Sequence, residues 1–332
     1  KPDQTSLLLS NHSYGTESGC DCSSAPCVWR GEVSIDGSKD YKFGFYDTQA
    51  SQWDGIAVNA PYYLIVKAAG NDRNEYNGSG PQSPDGPYDC IPTYGVAKNI
   101  LTVGAVNKLF SPYTGPSDVL ITQFSSWGPT DDGRIKPDIV APGLNVLSTV
   151  ARPTTAYNTE DGTSMSTASV RGTLALLQQL YKNLNSGKYM RSATLKALAL
   201  HTAREAGAHP GPDYSFGWGL LDAEAAAKVI INKDNQNIII QEAVLTSGQA
   251  FELSLTPKAG FKITATLVWT DPAATPPTPS LNPTTKMLVN DLDLIVTDGA
   301  TVYRGNVFAA GFSATGGSAD RLNNLEAVYI QN

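Results

Sequence analysis

The sequence predicts an α/β domain built on a parallel sheet, followed by an antiparallel β-sandwich or jelly-roll domain. Up to about residue 231, short continuous apolar runs alternate with helical patterns. Continuous apolar strands are typical of parallel sheets that are covered on both faces. From residue 232 onward the helical patterns stop, and alternating apolar and polar stretches are separated by Gly, Pro and Asp turns. We therefore divide the chain into domains 1–233 and 234–332.

Each half predicts its own set of elements. In the first half, apolar runs predict buried strands at residues 7–9, 62–66 and 100–106, and helical spacing predicts helices at residues 167–180 and 193–202. Asp222 occupies the cap position of a third helix, over residues 222–227. In the second half, alternation predicts strands at residues 251–255, 262–270, 287–296, 302–306 and 325–330. The last of these has no expected partner, and residues 271–283 form a Pro-rich loop.

Composition excludes several classes of partner. The 332 residues include 24 basic and 31 acidic side chains, giving a net charge of −7 without any Lys/Arg cluster. This balance argues against a nucleic-acid partner. No apolar run approaches the roughly 18 residues of a membrane span, so we expect no membrane partner. Because the chain opens with Lys1 rather than Met, we expect a processed or truncated piece.

Three of the four cysteines lie in one loop rich in Gly, Ser and Pro. They are Cys20, Cys22 and Cys27, and the fourth is Cys90. Their spacing does not fit a standard zinc ribbon. Disulfides from Cys20 or Cys22 to Cys27 or Cys90 are the favoured interpretation, with a metal site as the alternative. Disulfides indicate an oxidising setting, so we expect a secreted protein.

The sharpest local signal is Gly-Thr-Ser-Met at residues 162–165, which runs directly into an apolar helix. Gly162 would let a ligand backbone approach the turn. Ser164 would lie at the first helical position, where unpaired N–H groups and the helix dipole favour negative charge. There it could attack a carbonyl while its own N–H binds the oxyanion. In isolation the motif also fits a simple helix cap.

A second polar motif, Gly70-Asn71, follows the predicted strand at residues 62–66. Open α/β sheets bind ligands in the crevice at the carboxyl ends of their parallel strands. Asn71 is therefore a candidate amide donor for an oxyanion, although an isolated Gly-Asn pair is also a common turn.

Together with these motifs, other segments make the first 230 residues resemble subtilisin-like serine proteases, the subtilases. Five segments have the family's order and approximate spacing: residues 69–71, 124–129, 136–143, 162–165 and 216–223. Residues 10–15 resemble the family segment that pairs with bound substrate. Through residues 267–272 and 288–294, the second half is similar to the β domain that follows the protease in some large secreted subtilases.

The resemblance implies a secreted endopeptidase that needs no cofactor for its chemistry and acts on proteins or peptides. It assigns the nucleophile to Ser164 and the oxyanion-hole amide to Asn71. The substrate-binding residues implied by the same match are Ser13, Tyr14 and Gly15 on one wall of the specificity pocket, Ala68, Ala69 and Gly70 on the other, and Gly162 and Thr163 beside the nucleophile.

The sequence departs from the family at the other two members of the catalytic triad. Such a triad needs an Asp and then a His before the Ser in chain order, and neither family motif is present. Of the histidines, His12 lies in the substrate segment, His201 in an apolar helix and His209 in a loop. We therefore expect the missing motifs upstream of residue 1, and expect this chain alone to be inactive. Because loss of the upstream strands would leave an exposed sheet edge, we expect a companion fragment carrying Asp and His, a covering partner chain, or poor solubility.

Two other functions fit the same sequence. One is a pseudoprotease that binds peptides along residues 13–15 without cutting them. The other is an adhesion or carbohydrate-binding role for the β domain. The resemblance also implies structural Ca²⁺, for which Asp271, Asp291 and Asp293 are candidate ligands. We expect Asp291 and Asp293 to lie on one face of a strand.

Overall fold

The computed structural model describes residues 7–21, 26–74, 86, 88–151, 153–233, 238–257 and 260–331. The strands are β1 (Leu9–His12), β2 (Cys20–Asp21), β3 (Val28–Trp29), β4 (Leu64–Ala68), β5 (Leu101–Val106), β6 (Ile139–Pro142), β7 (Val146–Thr149), β8 (Tyr157–Glu160), β9 (Ile263–Val268), β10 (Ile295–Asp298), β11 (Thr301–Ala309), β12 (Phe312–Thr315) and β13 (Leu325–Ile330). The helices are α1 (Thr48–Asn59), α2 (Thr163–Leu184), α3 (Ser192–His201) and α4 (Ala223–Asn232), with short 3₁₀ turns at Thr93–Val96 and Pro116–Asp118.

A four-stranded parallel sheet in the order β1-β4-β5-β6 forms the centre of the molecule. Every residue of β4 and β5 is buried, as expected for strands covered on both faces. Leu64 and Val66 join the core formed with α2, α3 and α4, whereas Ile65 joins a second core beneath α1. The predicted parallel-sheet α/β fold is therefore confirmed.

The predicted helices form, with shifted boundaries. The 22-residue helix α2 begins at Thr163, four residues before the predicted start, so the Gly-Thr-Ser-Met motif is part of its first turn. Helix α4 has Asp222 as its N-cap, where the carboxylate accepts a hydrogen bond from the Ala225 N–H. The strand predicted at residues 7–9 lies further along the chain, since β1 begins at Leu9 and Leu7 is exposed.

The second half contains antiparallel strands, as the alternation predicts. They form a three-stranded sheet, β10-β11-β12, and a two-stranded sheet, β13-β9, while the jelly-roll arrangement stays a prediction. Strand β13 occupies the predicted residues, but the expectation that it lacks a partner was wrong. It pairs with β9 over all six residues, from Leu325 opposite Val268 to Ile330 opposite Ile263.

Two predicted strands differ from the structure. Residues 251–255 are irregular because Phe251, Leu253 and Leu255 remain exposed, and no described strand pairs with them. Of residues 287–296, only the last two belong to a strand, β10. The preceding part is a loop. Its Val289 and Asn290 N–H groups donate hydrogen bonds to the Asp271 carboxylate rather than to the backbone of a neighbouring strand.

Asp271 also joins the second half of the chain to the first. Its carboxylate forms a fully buried ion pair with Lys98, whose ammonium also donates to the Met287 carbonyl. Asn99 donates to the Asp271 carbonyl and accepts from the Asp271 N–H. Within the described ranges, no helix is long and apolar enough to cross a membrane.

Candidate active site

The two polar motifs lie side by side at the carboxyl ends of the parallel strands. Asn71 follows β4, and Ser164 is the second residue of α2. Gly162, the N-cap residue of this helix, has φ = 147°, a conformation that residues with a side chain rarely adopt. The structure thus brings together the residues that the sequence selects as nucleophile and amide donor.

The Asn71 side chain is anchored by the first residue of α2. Its Oδ1 atom accepts hydrogen bonds from the Thr163 N–H at 2.9 Å and from Thr163 Oγ1 at 3.0 Å. Because these two bonds occupy the oxygen, the amide nitrogen Nδ2 is the part of the side chain that can donate to a ligand. A Cβ placed on Gly162 would lie 3.5 Å from Asn71 Nδ2 and 3.6 Å from the Ser164 nitrogen. Both N–H donors therefore border one small volume next to Ser164.

The first predicted wall of the specificity pocket directly contacts the turn that carries Ser164. Ser13 Oγ donates a 3.0 Å hydrogen bond to the Ser164 carbonyl, which fixes the segment after β1 against the start of α2. Tyr14 and Gly15 are exposed beyond this contact. The Tyr14 hydroxyl lies 2.6 Å from His12 Nδ1, so the exposed tyrosine is tied back to β1.

The second predicted wall is also tied to α2. Ala68 and Ala69 are buried, and the Gly70 N–H and carbonyl both hydrogen-bond Thr163 Oγ1, at 3.3 and 3.2 Å. Gly70 has φ = 113°, and a Cβ there would lie 2.6 Å from Asp72 Oδ2. Thr163 therefore holds this wall and Asn71 in one arrangement.

A cavity of about 530 Å³ opens beside Ser164. Ser13, Ala168 and Ser169 line one side, and the hairpin of β7 and β8 lines the other. Sequence reasoning did not select this hairpin. Its signal is weak because Leu147 and Tyr157 are exposed, so the hairpin has no buried face to produce an apolar pattern.

Among the described contacts, none of the three histidines forms a hydrogen bond with Ser164 Oγ. His12 lies within hydrogen-bond distance of Ser10 Oγ and the Tyr14 hydroxyl, and His201 contacts Thr264 and Thr266. His209 is in an exposed loop. In the described part of the chain, no side chain forms a hydrogen bond with Ser164 Oγ.

The structure adds Lys67 and Asp72 to the site. Lys67 is only 4% exposed, and its Nζ atom donates to the Ala68 carbonyl at 2.6 Å. Burial lowers the pKa of Lys67 to about 8, although the nearby Asp72 carboxylate opposes this shift. Burial also raises the pKa of Asp72 to about 6, against the hydrogen bond from Ser126 Oγ. The available sequence signal was a lysine within an otherwise apolar strand.

The candidate calcium ligands do not share a site. Asp271 is occupied by Lys98, whereas Asp291 and Asp293 both pair with Arg321. The expectation that Asp291 and Asp293 share a strand face was wrong, since both precede β10. Among the residues described, no group of three or more His, Cys, Asp or Glu could hold a metal. Calcium binding elsewhere stays a prediction.

The predicted cysteine pairing lies partly outside the described residues, which omit Cys22. Cys20 and Cys90 are buried thiols, so neither forms one of the expected disulfides. The Cys90 sulfur accepts a hydrogen bond from the Trp127 N–H.

This fold and site define a class of parallel α/β proteins that place a serine and an amide donor at the start of a helix. The chain belongs to the subtilase family, whose family model matches residues 8–219. It is 28% identical over 254 residues to the serine protease/ABC transporter B family protein tagA of Dictyostelium discoideum. That alignment covers 65% of this chain and 14% of tagA.

The chain is also similar to parts of two other proteins. It is 43% identical over 86 residues to a C5a peptidase of Streptococcus pyogenes, covering 26% of this chain and 7% of that protein. Among solved structures, it is similar to the Clostridium perfringens CspB protease, with 26% identity, a TM-score of 0.39, and coverage of 44% of this chain and 30% of that one. The chain thus spans only a small part of the curated relatives it matches.

Proposed function

We propose that this chain supplies the nucleophile and oxyanion hole of a serine endopeptidase. One observation carries the proposal: Thr163 anchors Asn71 Oδ1, and Asn71 Nδ2 and the Ser164 N–H thereby border one volume beside the Ser164 side chain. Two preorganised donors next to a nucleophile are the arrangement that stabilises a tetrahedral acyl-transfer intermediate. Membership of the subtilase family supports the same chemistry.

In the proposed reaction, Ser164 Oγ attacks the peptide carbonyl carbon and its proton passes to a general base. The carbonyl oxygen becomes an oxyanion that accepts hydrogen bonds from Asn71 Nδ2 and the Ser164 N–H. The base then protonates the departing amine as the C–N bond breaks, leaving an acyl-enzyme. Water attacks the acyl-enzyme with the help of the same base and releases the acid and Ser164.

We assign the general base to a His supplied from outside this chain, together with its Asp partner. His12 and His201 already contact other side chains through both ring nitrogens. Without a base, Ser164 is an ordinary alcohol of high pKa, so the chain alone would be inactive.

The surface around Ser164 suits such a companion segment. Among the described strands, β1 pairs only with β4, so its outer edge offers backbone hydrogen bonds to an added strand. Ala168 and Ser169 are exposed on α2 beside the cavity, although Val170, Leu174 and Leu177 of the same helix lie in the core. A companion segment that covers the outer edge of β1 and the exposed residues of α2 would bring its His to Ser164.

Protein or peptide substrates, an extracellular location and structural Ca²⁺ belong to the same proposal. The names of the relatives support peptide substrates, because the tagA protein and the streptococcal enzyme are called a protease and a peptidase. The proposed extracellular location is supported by the loop of the sequence that contains three of the four cysteines.

Peptide hydrolysis by the protein purified from its source tests this function. We expect turnover of a fluorogenic peptide that is lost in Ser164→Ala. The matched control is Ser169→Ala, which removes a second hydroxyl from the same helix and cavity and should retain turnover. Equal activity of the wild-type and Ser164→Ala proteins would refute the proposal.

A second candidate function is peptide binding without cleavage. The outer edge of β1, which no other described strand covers, favours it, since an extended peptide can add to such an edge as a further strand. Binding of a peptide with no turnover by the source protein would favour this alternative.

A further inference from the structure

Lys67 is an unusual residue in β4, a strand in which every residue is buried. The side chains of β4 alternate between the two faces, and Lys67 shares a face with Ile65, which belongs to the core beneath α1. A buried ammonium loses its hydration and requires hydrogen-bond or charge partners in exchange.

The described residues supply little compensation for this charge. The Lys67 ammonium has three donors, and its one hydrogen bond to a described residue is to the Ala68 carbonyl. Asp72 is near enough to influence the pKa of Lys67, yet no carboxylate of the described chain lies within 4 Å of Nζ. Lys98 shows the contrast, because its buried ammonium has a carboxylate and two carbonyls as partners.

The position of the Lys67 ammonium indicates where a further hydrogen-bond acceptor would have to lie. Nζ contacts the carbonyl of Ala68, in one predicted wall of the specificity pocket. It also lies 3.8 Å from the position of a Cβ on Gly15, in the opposite wall, and that Cβ would meet no other heavy atom within 4 Å. Gly15 is exposed, so the ammonium lies just below the surface between the two walls.

We propose that Lys67 gives this site a preference for an acidic side chain, Asp or Glu, at the substrate residue whose carbonyl is attacked. The inference rests on the proposed function, in which residues 13–15 and 68–70 flank that side chain. A substrate carboxylate between the walls would accept the remaining Lys67 donors and balance the buried charge. The glycine at position 15 leaves the approach to Nζ open.

The test compares peptides that differ only in Glu or Gln at this position, using the protein purified from its source. Because the two side chains have nearly the same shape, their kcat/KM ratio reports the charge interaction. We expect the Glu peptide to be favoured by about tenfold or more, the factor typical of a hydrogen bond to a charged group. A ratio near one, or a preference for Gln, would overturn the inference.

Lys67→Met keeps the length of the side chain without its charge, and should bring the ratio close to one. Lys228→Met removes an exposed lysine from α4 and serves as the control for net charge. If Lys67→Met fails to fold, the wild-type ratio still decides the question, since it requires no variant.

Binding to the Ser164→Ala protein, followed by fluorescence anisotropy, separates this inference from the proposed function. If no peptide is hydrolysed but the Glu peptide binds about tenfold more tightly than the Gln peptide, the acidic preference stands and the peptidase proposal fails. If both peptides are hydrolysed equally well, the peptidase proposal stands and the role of Lys67 is overturned.

Discussion

At the scale of single residues, the proposed oxyanion hole depends on Asn71 being held in one orientation. Thr163 occupies Asn71 Oδ1 with two donors, so the amide nitrogen is presented to the volume beside Ser164 before any substrate binds. A donor fixed in advance costs no reorganisation when the oxyanion develops.

Asn71→Ala should therefore reduce kcat far more than it changes KM. Removal of one such donor costs about 10²–10³ in kcat, a figure measured in subtilisin, which belongs to this same family. Steady-state kinetics on the source protein provide the measurement. Asn74→Ala, three residues along the same loop and also exposed, is the matched control. A loss confined to KM would contradict a role in the transition state.

Sequence could select Ser164 and Asn71 because both motifs adjoin recognisable elements, a helix start and the end of a buried strand. It did not select Lys67. A lysine within an apolar strand has no local pattern that tells which partners surround its ammonium. The approach of Gly15 to that ammonium depends on the pairing of β1 with β4, which joins residues more than 50 positions apart.

At the scale of elements, β13 places an acidic side chain in an unfavourable environment. Glu326 is 1% exposed, its Oε2 atom accepts from the Leu294 N–H, and its Oε1 atom has no hydrogen-bond partner among the described residues. Burial, with added repulsion from Asp320, Asp293 and Asp291, raises the pKa of Glu326 from 4.5 to about 8. The folded protein therefore keeps a proton that the unfolded chain loses.

This difference predicts how stability depends on pH. Between about pH 4.5 and 8 the folded state binds more protons at this position than the unfolded state, so the free energy of unfolding should fall as pH rises. Glu326→Gln mimics the protonated side chain, and should raise Tm by several degrees near the upper end of this window and by little near the lower end. Thermal melts across the window provide the measurement.

Glu252→Gln, an exposed carboxyl in the same half of the chain, is the control and should leave the pH dependence unchanged. A Glu326→Gln melt that follows the wild-type pH dependence would show that Glu326 titrates normally in the folded protein.

Helices and strands were predictable where the pattern of their own residues is sufficient to form them, without a requirement for a particular partner. The fully buried run of β5 and the Asp222 cap of α4 produce strong local patterns, and both elements were predicted. The alternation at residues 251–255 predicts a strand equally well, but a strand also requires a partner. No described strand supplies one for these residues, and their apolar side chains stay exposed.

At the scale of the whole molecule, a buried ion pair joins the two halves of the chain. Its two residues lie in different halves, so the local sequence of either half does not predict it. Asp271 lies in a Pro-rich loop, where an acidic residue is usually solvated, and Lys98 lies 173 positions away. Both side chains are fully buried, and the same carboxylate holds the loop before β10 through the Val289 and Asn290 N–H groups.

Asp271→Asn should destabilise the folded chain by about 3–5 kcal/mol, because it leaves the buried Lys98 charge uncompensated. Urea unfolding followed by fluorescence measures this change. Asp291→Asn, which disrupts an exposed pair with Arg321, should cost no more than about 1 kcal/mol. Adding Lys98→Met to Asp271→Asn should recover part of the loss. Equal effects of the two aspartate variants would contradict the importance of the buried pair.

Active-site labelling of the source protein by a fluorophosphonate, with the adduct located by mass spectrometry, tests the central claim most directly. We expect an adduct on Ser164, its loss in Ser164→Ala, its retention in Ser169→Ala, and little labelling of the isolated 332-residue chain. An adduct on another serine, or none at all, would contradict the assignment of the nucleophile. Strong labelling of Ser164 in the isolated chain would contradict the proposal that its general base comes from elsewhere.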